Sequence, residues 1–445
     1  MSRCAATDGR HRGPSDGYAR RTPEDGVLHR VLREHLESFL RQAADADPET
    51  GGVPGFVRNE LSAYLSCGVL SEGFARFKCT ACRHEHIVAL SCKGRGFCAS
   101  CGSKRMTSLA AELTDRVIPF VPVRQFVLSL PHALRYLLAY DHGRCLAVLR
   151  IYIRALQSFY RLRARRHGVG RGQTGTVTFI QRFGSAANLN LHFHVIALDG
   201  VFADHADRSL RFHAAPTPTD AEVVQLVAKI RSRVLRHLER QGLTDSELRS
   251  ADPLAEASPM LASCYAGSLQ GRQTLGRRRG AKLERLGADP NVAWSQSKGR
   301  LSAHIEGFDL HAALRVASNQ QSGRAPLEKL LRYCARPPLS DERLSQRDGK
   351  VILRLKTPWR DGTTDVLYEP VDFVAKLAAL VPRPQKNLVL YHGVLAAHAT
   401  WRGRVVAYGR REAGVVHEDD AQPGSEPPRH ERLRWATLMK RAFEL

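Results

Sequence analysis

The alternation of apolar and polar positions is clearest in N-L-N-L-H-F-H-V-I-A-L-D-G, residues 188–200. A period of two predicts a strand over 189–198. On a strand, residues two apart share a face, so His192 and His194 project from one side while Leu191, Phe193 and Val195 enter a core. The preceding run, 176–183, predicts a second strand, and the turn 184–188 joins the two as a hairpin. Helical periodicity governs most of the rest: Val27, Leu28, Val31, Leu32, Leu36, Phe39 and Leu40 form one stripe, and shorter patterns predict helices near 57–64 and 104–117. A strand over 123–130 enters a helix with Pro131 in its first turn. Helices follow near 145–165, 221–241 and 371–380, with a hairpin around Arg360, Asp361 and Gly362. A further helix opens at Pro326 and stops at Pro337-Pro338, with Leu327, Leu330, Leu331 and Cys334 on its apolar face. Residues 242–300 read as irregular, and no internal repeat is visible. The pattern is α+β: an antiparallel sheet of four or five strands with helices on one face.

Two histidines sharing a strand face are a ready pair of ligands for a divalent cation, and a half-buried strand carries them equally well. On the neighbouring strand the good oxygen donor is Gln181, a candidate third ligand; its parity with Val177, Phe179 and Phe183 also allows a buried amide. Asp199 has the wrong parity relative to the histidines unless a bulge intervenes.

The cysteines are concentrated: of ten, five lie between Cys79 and Cys101. Cys79-x2-Cys82 and Cys98-x2-Cys101, fifteen residues apart, fit a four-thiolate zinc site. Cys67, Cys92, His84 and His86 lie near enough in sequence to replace a ligand or build a second site. Lys93, Arg95, Lys104 and Arg105 make this segment a candidate nucleic-acid module or a bare scaffold.

Charge narrows the partners. The 445-residue chain is 43% hydrophobic, enough for several cores, and carries 67 Lys+Arg against 44 Asp+Glu, a formal net charge of +23. Such an excess calls for a polyanion, and nucleic acid comes first. Between His142 and Leu198 there is no acid but there are nine arginines, which reads as a face for phosphate contacts. Arg163, Arg165, Arg166 and Arg182 belong to that run; Arg277, Arg278 and Arg279 form a basic loop downstream. No uncharged stretch is long enough for a membrane helix, and the N-terminus lacks a signal-peptide core, so a cytoplasmic, nucleoid-associated protein is expected.

Tyr333 sits near the C-terminal end of the Pro326 helix between Arg332 and Arg336. A phenol becomes a competent nucleophile beside cations or a base, and a tyrosine there also packs as a plain aromatic. Tyr136 and Tyr140, one turn apart, are a second tyrosine pair, set among leucines and upstream of the histidines.

The cysteine pattern, the histidine strand and a downstream helical tyrosine occur in the order of a known family. With CTACRHEHIVALSCKGRGFCASC, LNLHFHVIALDGVF, LLRYCARPPLS, LKTPWRDGTT and LVLYHGVLAAHA, the chain resembles the rolling-circle transposases of the insertion-sequence-91 type, within the HUH endonuclease superfamily, over roughly residues 27–410. The resemblance implies an HUH-type antiparallel sheet with flanking helices, preceded by a small zinc-ribbon-like domain. It implies that His192 and His194 hold Mg²⁺ or Mn²⁺, that a structural Zn²⁺ is present, and that Tyr333 attacks single-stranded DNA at element ends to leave a 5′-phosphotyrosine. Arg332 and Arg336 would then contact DNA. Lys329 and Pro337 stand one turn to either side of Tyr333, so the chain resembles a single-tyrosine variant. A relaxase or replication initiator using Tyr136, and a non-catalytic zinc-containing nucleic-acid-binding protein, are the alternatives. The expected organisation is a disordered basic tail (1–26), a helical and zinc-binding domain (27–108), a DNA strand-transferase domain (115–340), a C-terminal hairpin and helix region (341–410) and a polar tail (411–445).

Overall fold

The computed structural model describes residues 22–243, 252–289, 299–318 and 323–410, apart from Cys79, Ala81, His84 and the side chain of His86. Of the expected tails, residues 1–21 and 411–445 lie outside the described residues. In chain order the elements are α1 (Val27–Ala46), α2 (Gly55–Leu65), β1 (Phe74–Lys78), β2 (Glu85–Ala89), α3 (Ala99–Glu112), β3 (Val123–Ser129), α4 (His132–Tyr140) and α5 (His142–Arg166). They continue as β4 (Gly175–Phe183), β5 (Leu189–Leu198), β6 (Gly200–Asp204), β7 (Leu210–Ala214), α6 (Asp220–Glu239), α7 (Pro253–Ala257) and α8 (Pro259–Gln270). Then come β8 (Glu284–Leu286), β9 (Ser302–Ile305), β10 (Phe308–His311), β11 (Arg315–Val316) and α9 (Arg324–Ala335). The C-terminal part holds β12 (Leu344–Arg347), β13 (Lys350–Arg354), β14 (Asp365–Tyr368), α10 (Pro370–Leu380), β15 (Val389–Gly393) and α11 (Arg402–Ala407).

The central sheet has seven strands, ordered β15-β4-β5-β3-β10-β9 with β11 also pairing β3, and every pairing is antiparallel. β5, the histidine strand, lies between β4 and β3, so both of its edges are hydrogen-bonded and both of its faces are covered. Odd positions Leu191, Phe193 and Val195 join a core that includes Val148, Leu149 and Tyr152 of α5, with the Tyr152 ring 6.4 Å from Phe193. Even positions Ile196 and Leu198 join a second core with Val177 and Phe179 of β4 and with Leu327, Leu330, Leu331 and Cys334 of α9. The expected sheet of four or five strands with helices on one face is thus wider, and helices cover both faces. The added strands are short or flank proline and glycine, where a period of two has too few residues to show itself.

The stretch expected to be irregular, 242–300, contains α7 and α8. α8 is buried on nearly every side, from Met260 through Leu269. A helix that is apolar all round has no polar stripe to betray its period.

One end of β5 is tied by a buried carboxylate. Asp199 accepts from Arg124 (3.0 and 3.1 Å), from the Tyr160 hydroxyl (2.9 Å) and from Arg315 (2.8 Å). These bonds join β5, β3, β11 and α5, and they occupy both oxygens of Asp199.

Candidate functional site

β5 is antiparallel to β4 and β3 in a register that sets Gln181 and Ser129 opposite His192, and Phe179 and Val127 opposite His194. Residues directly opposite share a face, so both imidazoles and Gln181 rise toward α9. The parity that made Gln181 doubtful from sequence, shared with Val177 and Phe179, is the parity of the histidine face itself. The His192 and His194 Nε2 atoms lie 3.1 Å apart. Adjacent ligand positions around an octahedral cation with bonds of about 2.1 Å are separated by about 3 Å, so the pair fits such an ion.

α9 brings Tyr333 to the same place. Its ring lies edge-on to His194 with centroids 5.7 Å apart, and the side chain is 50% exposed. The helix is anchored by Leu327, Leu330, Leu331 and Cys334 on the sheet, which turns Tyr333 outward beside the histidines rather than into the core. Arg336 spans the ring of Tyr333 (4.9 Å) and that of Phe183 (5.5 Å), a cation held over the nucleophile candidate by two aromatic faces. Arg332 instead bonds Glu328 on its own helix (2.7 Å).

Burial drives the His192 imidazole down to about 4 and that of His194 to about 3, with nearby cations adding to the effect, so both are neutral and able to ligate without first losing a proton. His192 Nδ1–H donates to the Asn190 carbonyl (2.8 Å), which leaves Nε2 as the lone-pair nitrogen. His194 Nδ1 meets the Gln125 amide at 2.9 Å, and the same amide atom lies 3.3 Å from Cys334 Sγ. Gln125 was not singled out from sequence; its signal was a lone amide inside an apolar strand, V-R-Q-F-V-L-S-L. Gln181 is 4% exposed and donates to the Cys334 carbonyl (3.2 Å), so its oxygen is the atom it would offer a cation.

The four-thiolate cluster differs in membership from the expected one. Cys67, Cys92, Cys98 and Cys101 present sulfurs all within 4.8 Å of one another. Cys98 and Cys101 were expected; Cys67 and Cys92 stand where Cys79 and Cys82 were predicted. Cys82 is exposed outside the cluster, and Cys79 lies outside the described residues. The reason is the β1–β2 hairpin, whose base is closed by Gly68 N–H donating to the Leu90 carbonyl (2.8 Å). Its two flanks, Cys67 and Cys92, are therefore neighbours, while Cys82 lies in the hairpin's far connection. Sulfur separations of 3.6 and 3.7 Å match the edge of a tetrahedron with Zn–S bonds of about 2.3 Å, which is about 3.8 Å. The contacts among the four sulfurs push the Cys101 thiol toward thiolate and the Cys92 and Cys98 thiols upward, so one proton-poor sulfur is stabilised by its neighbours. Glu60 of α2 accepts from the Arg95 and Gly96 backbone (2.9 and 2.5 Å) and pins the loop between Cys92 and Cys98.

Several arginines expected at DNA are committed elsewhere. Arg163 is buried in an ion pair with Glu222 and donates to the Pro216 carbonyl (2.9 Å). Arg182 is buried against the Ala139 carbonyl (2.6 Å) and the Tyr265 hydroxyl (2.8 Å). Both guanidiniums are held inside by these partners, a carboxylate and a carbonyl for Arg163 and a carbonyl and a hydroxyl for Arg182. Arg277, Arg278 and Arg279 are exposed, with Arg278 paired to Glu284 (2.6 Å). Arg165 and Arg166 are exposed at the end of α5, on the far side of the sheet from Tyr333.

Tyr136, the upstream alternative, donates its hydroxyl to Asp252 (2.6 Å) and packs edge-on against Tyr265. Burial first, and then the Asp252 carboxylate, push that phenol well above its ordinary range, which opposes formation of a phenolate. Tyr140 lies under Arg383, 4.2 Å away.

A cleft of about 120 Å³ lies between the zinc loop and Gln181. It is lined by Arg95 and Arg105, by Phe179 and Phe183 on the sheet, and by Arg336 and Pro337 at the end of α9. Among the described residues no helix is long and apolar enough to cross a membrane.

Two family models match. Residues 175–402 match a transposase family, Y2_Tnp, and residues 31–130 match a transposase zinc-binding domain, Zn_Tnp_IS91. Neither the curated proteins nor the solved structures contain a match.

Proposed function

The chain belongs to the insertion-sequence-91 type of transposases, and from that premise we propose that it cuts and rejoins single-stranded DNA at element ends through a covalent 5′-phosphotyrosine on Tyr333. The observation that carries this reading is the convergence of an exposed tyrosine and two neutral histidines, from distant parts of the chain, within one ring's reach. In the proposed step the Tyr333 oxygen bonds the phosphorus and the phenolic proton passes to solvent. The P–O3′ bond breaks, and the departing oxygen takes a proton to become a 3′-hydroxyl. The phosphotyrosine retains the bond energy, so rejoining requires no nucleotide cofactor. Arg336, above the ring, balances charge on the phosphate as it develops.

His192, His194 and, as third ligand, Gln181 would hold Mg²⁺ or Mn²⁺. When bound, such an ion supplies Lewis-acid polarisation of the phosphate. Ligation through both Nε2 atoms requires His194 to carry its proton on Nδ1. Gln125 meets that tautomer by turning its amide oxygen to the ring, an exchange its heavy-atom positions accommodate. It is a positioning residue, and Gln125→Leu is expected to weaken Mn²⁺ affinity by about 10–100-fold in a metal titration. An unchanged affinity would show that the amide merely fills space.

The test of the whole reading is incubation with single-stranded DNA carrying the element's end, with Mg²⁺ or Mn²⁺, followed by denaturing electrophoresis. Wild type is expected to form an adduct that chelation prevents. His192→Ala and His194→Ala are each expected to slow adduct formation on the order of 10²–10³-fold. If wild type forms no adduct under any condition, the protein is a zinc-containing DNA binder without catalysis.

A further inference from the structure

We propose that α5 carries a second DNA-binding surface, for the backbone of duplex DNA, on the face of the molecule opposite Tyr333. The proposal rests on the reading that this chain acts on DNA.

At 100° per residue, Arg150, Arg154, Arg161 and Arg165 fall within about 60° of arc on α5. All four are exposed. The opposite side of the helix, with Val148, Tyr152 and Leu156, is buried against the sheet face that bears Phe193. Tyr333 lies across the other face, so this stripe and the tyrosine site are separated by the thickness of the sheet.

The helix contains no acid. Its N-cap, Asp141, pairs with Arg144, and Glu222 pairs with the buried Arg163, but the four stripe arginines are ion-paired with no acid among the described residues. Arg150 with Arg154, and Arg161 with Arg165, are like charges one turn apart, an arrangement that weakens a helix on its own. An ordinary solvated face interleaves both signs and avoids that cost. A polyanion removes it.

The geometry also selects among polyanions. The stripe runs about 22 Å along a straight helix, long enough to follow several phosphates of one duplex strand. Nothing along it can stack on bases: the helix's aromatic side chains, Tyr152, Phe159 and Tyr160, lie outside the arc, and two of them are fully buried. Single-strand binding without sequence preference relies on such rings. A rigid row of guanidiniums without rings suits a duplex backbone read by charge alone.

The experiment compares wild type with Arg150→Gln, Arg154→Gln and Arg161→Gln combined, and with the same three positions changed to Lys. Affinity for a duplex of unrelated sequence is measured as a function of salt, alongside covalent adduct formation on single-stranded DNA. The Gln triple is expected to lower the slope of log affinity against log salt by about 2.7, from three lost phosphate contacts. The Lys triple is expected to restore it, and adduct formation should stay within about twofold throughout. An unchanged slope in the Gln triple, or a wild type that binds no duplex, overturns the proposal even if the adduct forms. Parallel loss of single-strand affinity and adduct formation overturns it differently, by making the stripe part of one continuous strand path. A wild type that binds duplex with the expected slope but forms no adduct sinks the nuclease reading and leaves this surface standing.

Discussion

Tyr333→Phe is expected to bind single-stranded DNA as wild type does and to form no covalent adduct. Removal of the attacking atom costs on the order of 10⁴-fold or more in rate, because among the described residues no neighbouring side chain supplies an equivalent nucleophile. Phenylalanine preserves the ring that packs edge-on to His194 and beneath Arg336, so the local arrangement survives. The side chain is half exposed, and its loss of a hydroxyl should change stability by no more than about 0.5 kcal/mol. A lost adduct with an unchanged melting temperature therefore isolates the chemistry. Tyr136→Phe makes the natural contrast: it breaks a 2.6 Å bond to Asp252, which should lower stability by about 1–3 kcal/mol while leaving the adduct in place. Should the adduct instead survive Tyr333→Phe and vanish with Tyr136→Phe, the nucleophile is upstream and the relaxase reading prevails.

Zinc loss should have the second large effect, and it should reach the tyrosine. Cys98 and Cys101 sit at the start of α3, and α3 packs along α9, the helix that bears Tyr333. The approach is close: a Cβ built on Gly102 would lie 2.7 Å from Pro337, at the end of that helix. Structural zinc contributes folding free energy of about 10–16 kcal/mol in small zinc-finger peptides, so its removal is expected to unfold residues 67–105. With that support gone, α9 loses one side of its seat and adduct formation should fall sharply. Both histidines lie on β5, held between β3 and β4, and Mn²⁺ binding there should persist. Cys67→Ser and Cys98→Ser should be equivalent by zinc content per chain and by adduct yield, although they are 31 residues apart. A Cys67→Ser protein with undiminished zinc would return the site to the paired C-x2-C motifs.

Much of the site was legible in the linear pattern. His192, His194 and Tyr333 each announced themselves through local rules: a period of two with a histidine on both sides of a phenylalanine, and a proline-bounded helix with arginines beside a tyrosine. Gln181 was visible as the good oxygen donor of its strand, but its role hinged on register. Only pairing with β5 decides which face it shares, and a shift of one residue would have turned it away. Gln125 escaped notice because an amide in an apolar strand carries no motif.

The amino-acid sequence by itself determined the long periodic elements, the excess of positive charge, the existence of a thiolate site and the order of its parts, because each depends on neighbours a few residues apart. Tertiary structure decided which four cysteines meet, since the closed base of a hairpin, not the spacing of C-x2-C, brings Cys67 to Cys92. It decided that Arg163 and Arg182 are committed to buried partners while Arg150, Arg154 and Arg161 remain at the surface, because a guanidinium's fate depends on which carbonyls and carboxylates the fold carries to it. It also decided sidedness, setting Tyr333 and the arginine stripe of α5 on opposite faces of one sheet. Composition and periodicity report how much charge and apolar surface a segment has; where each comes to lie follows from long-range packing alone.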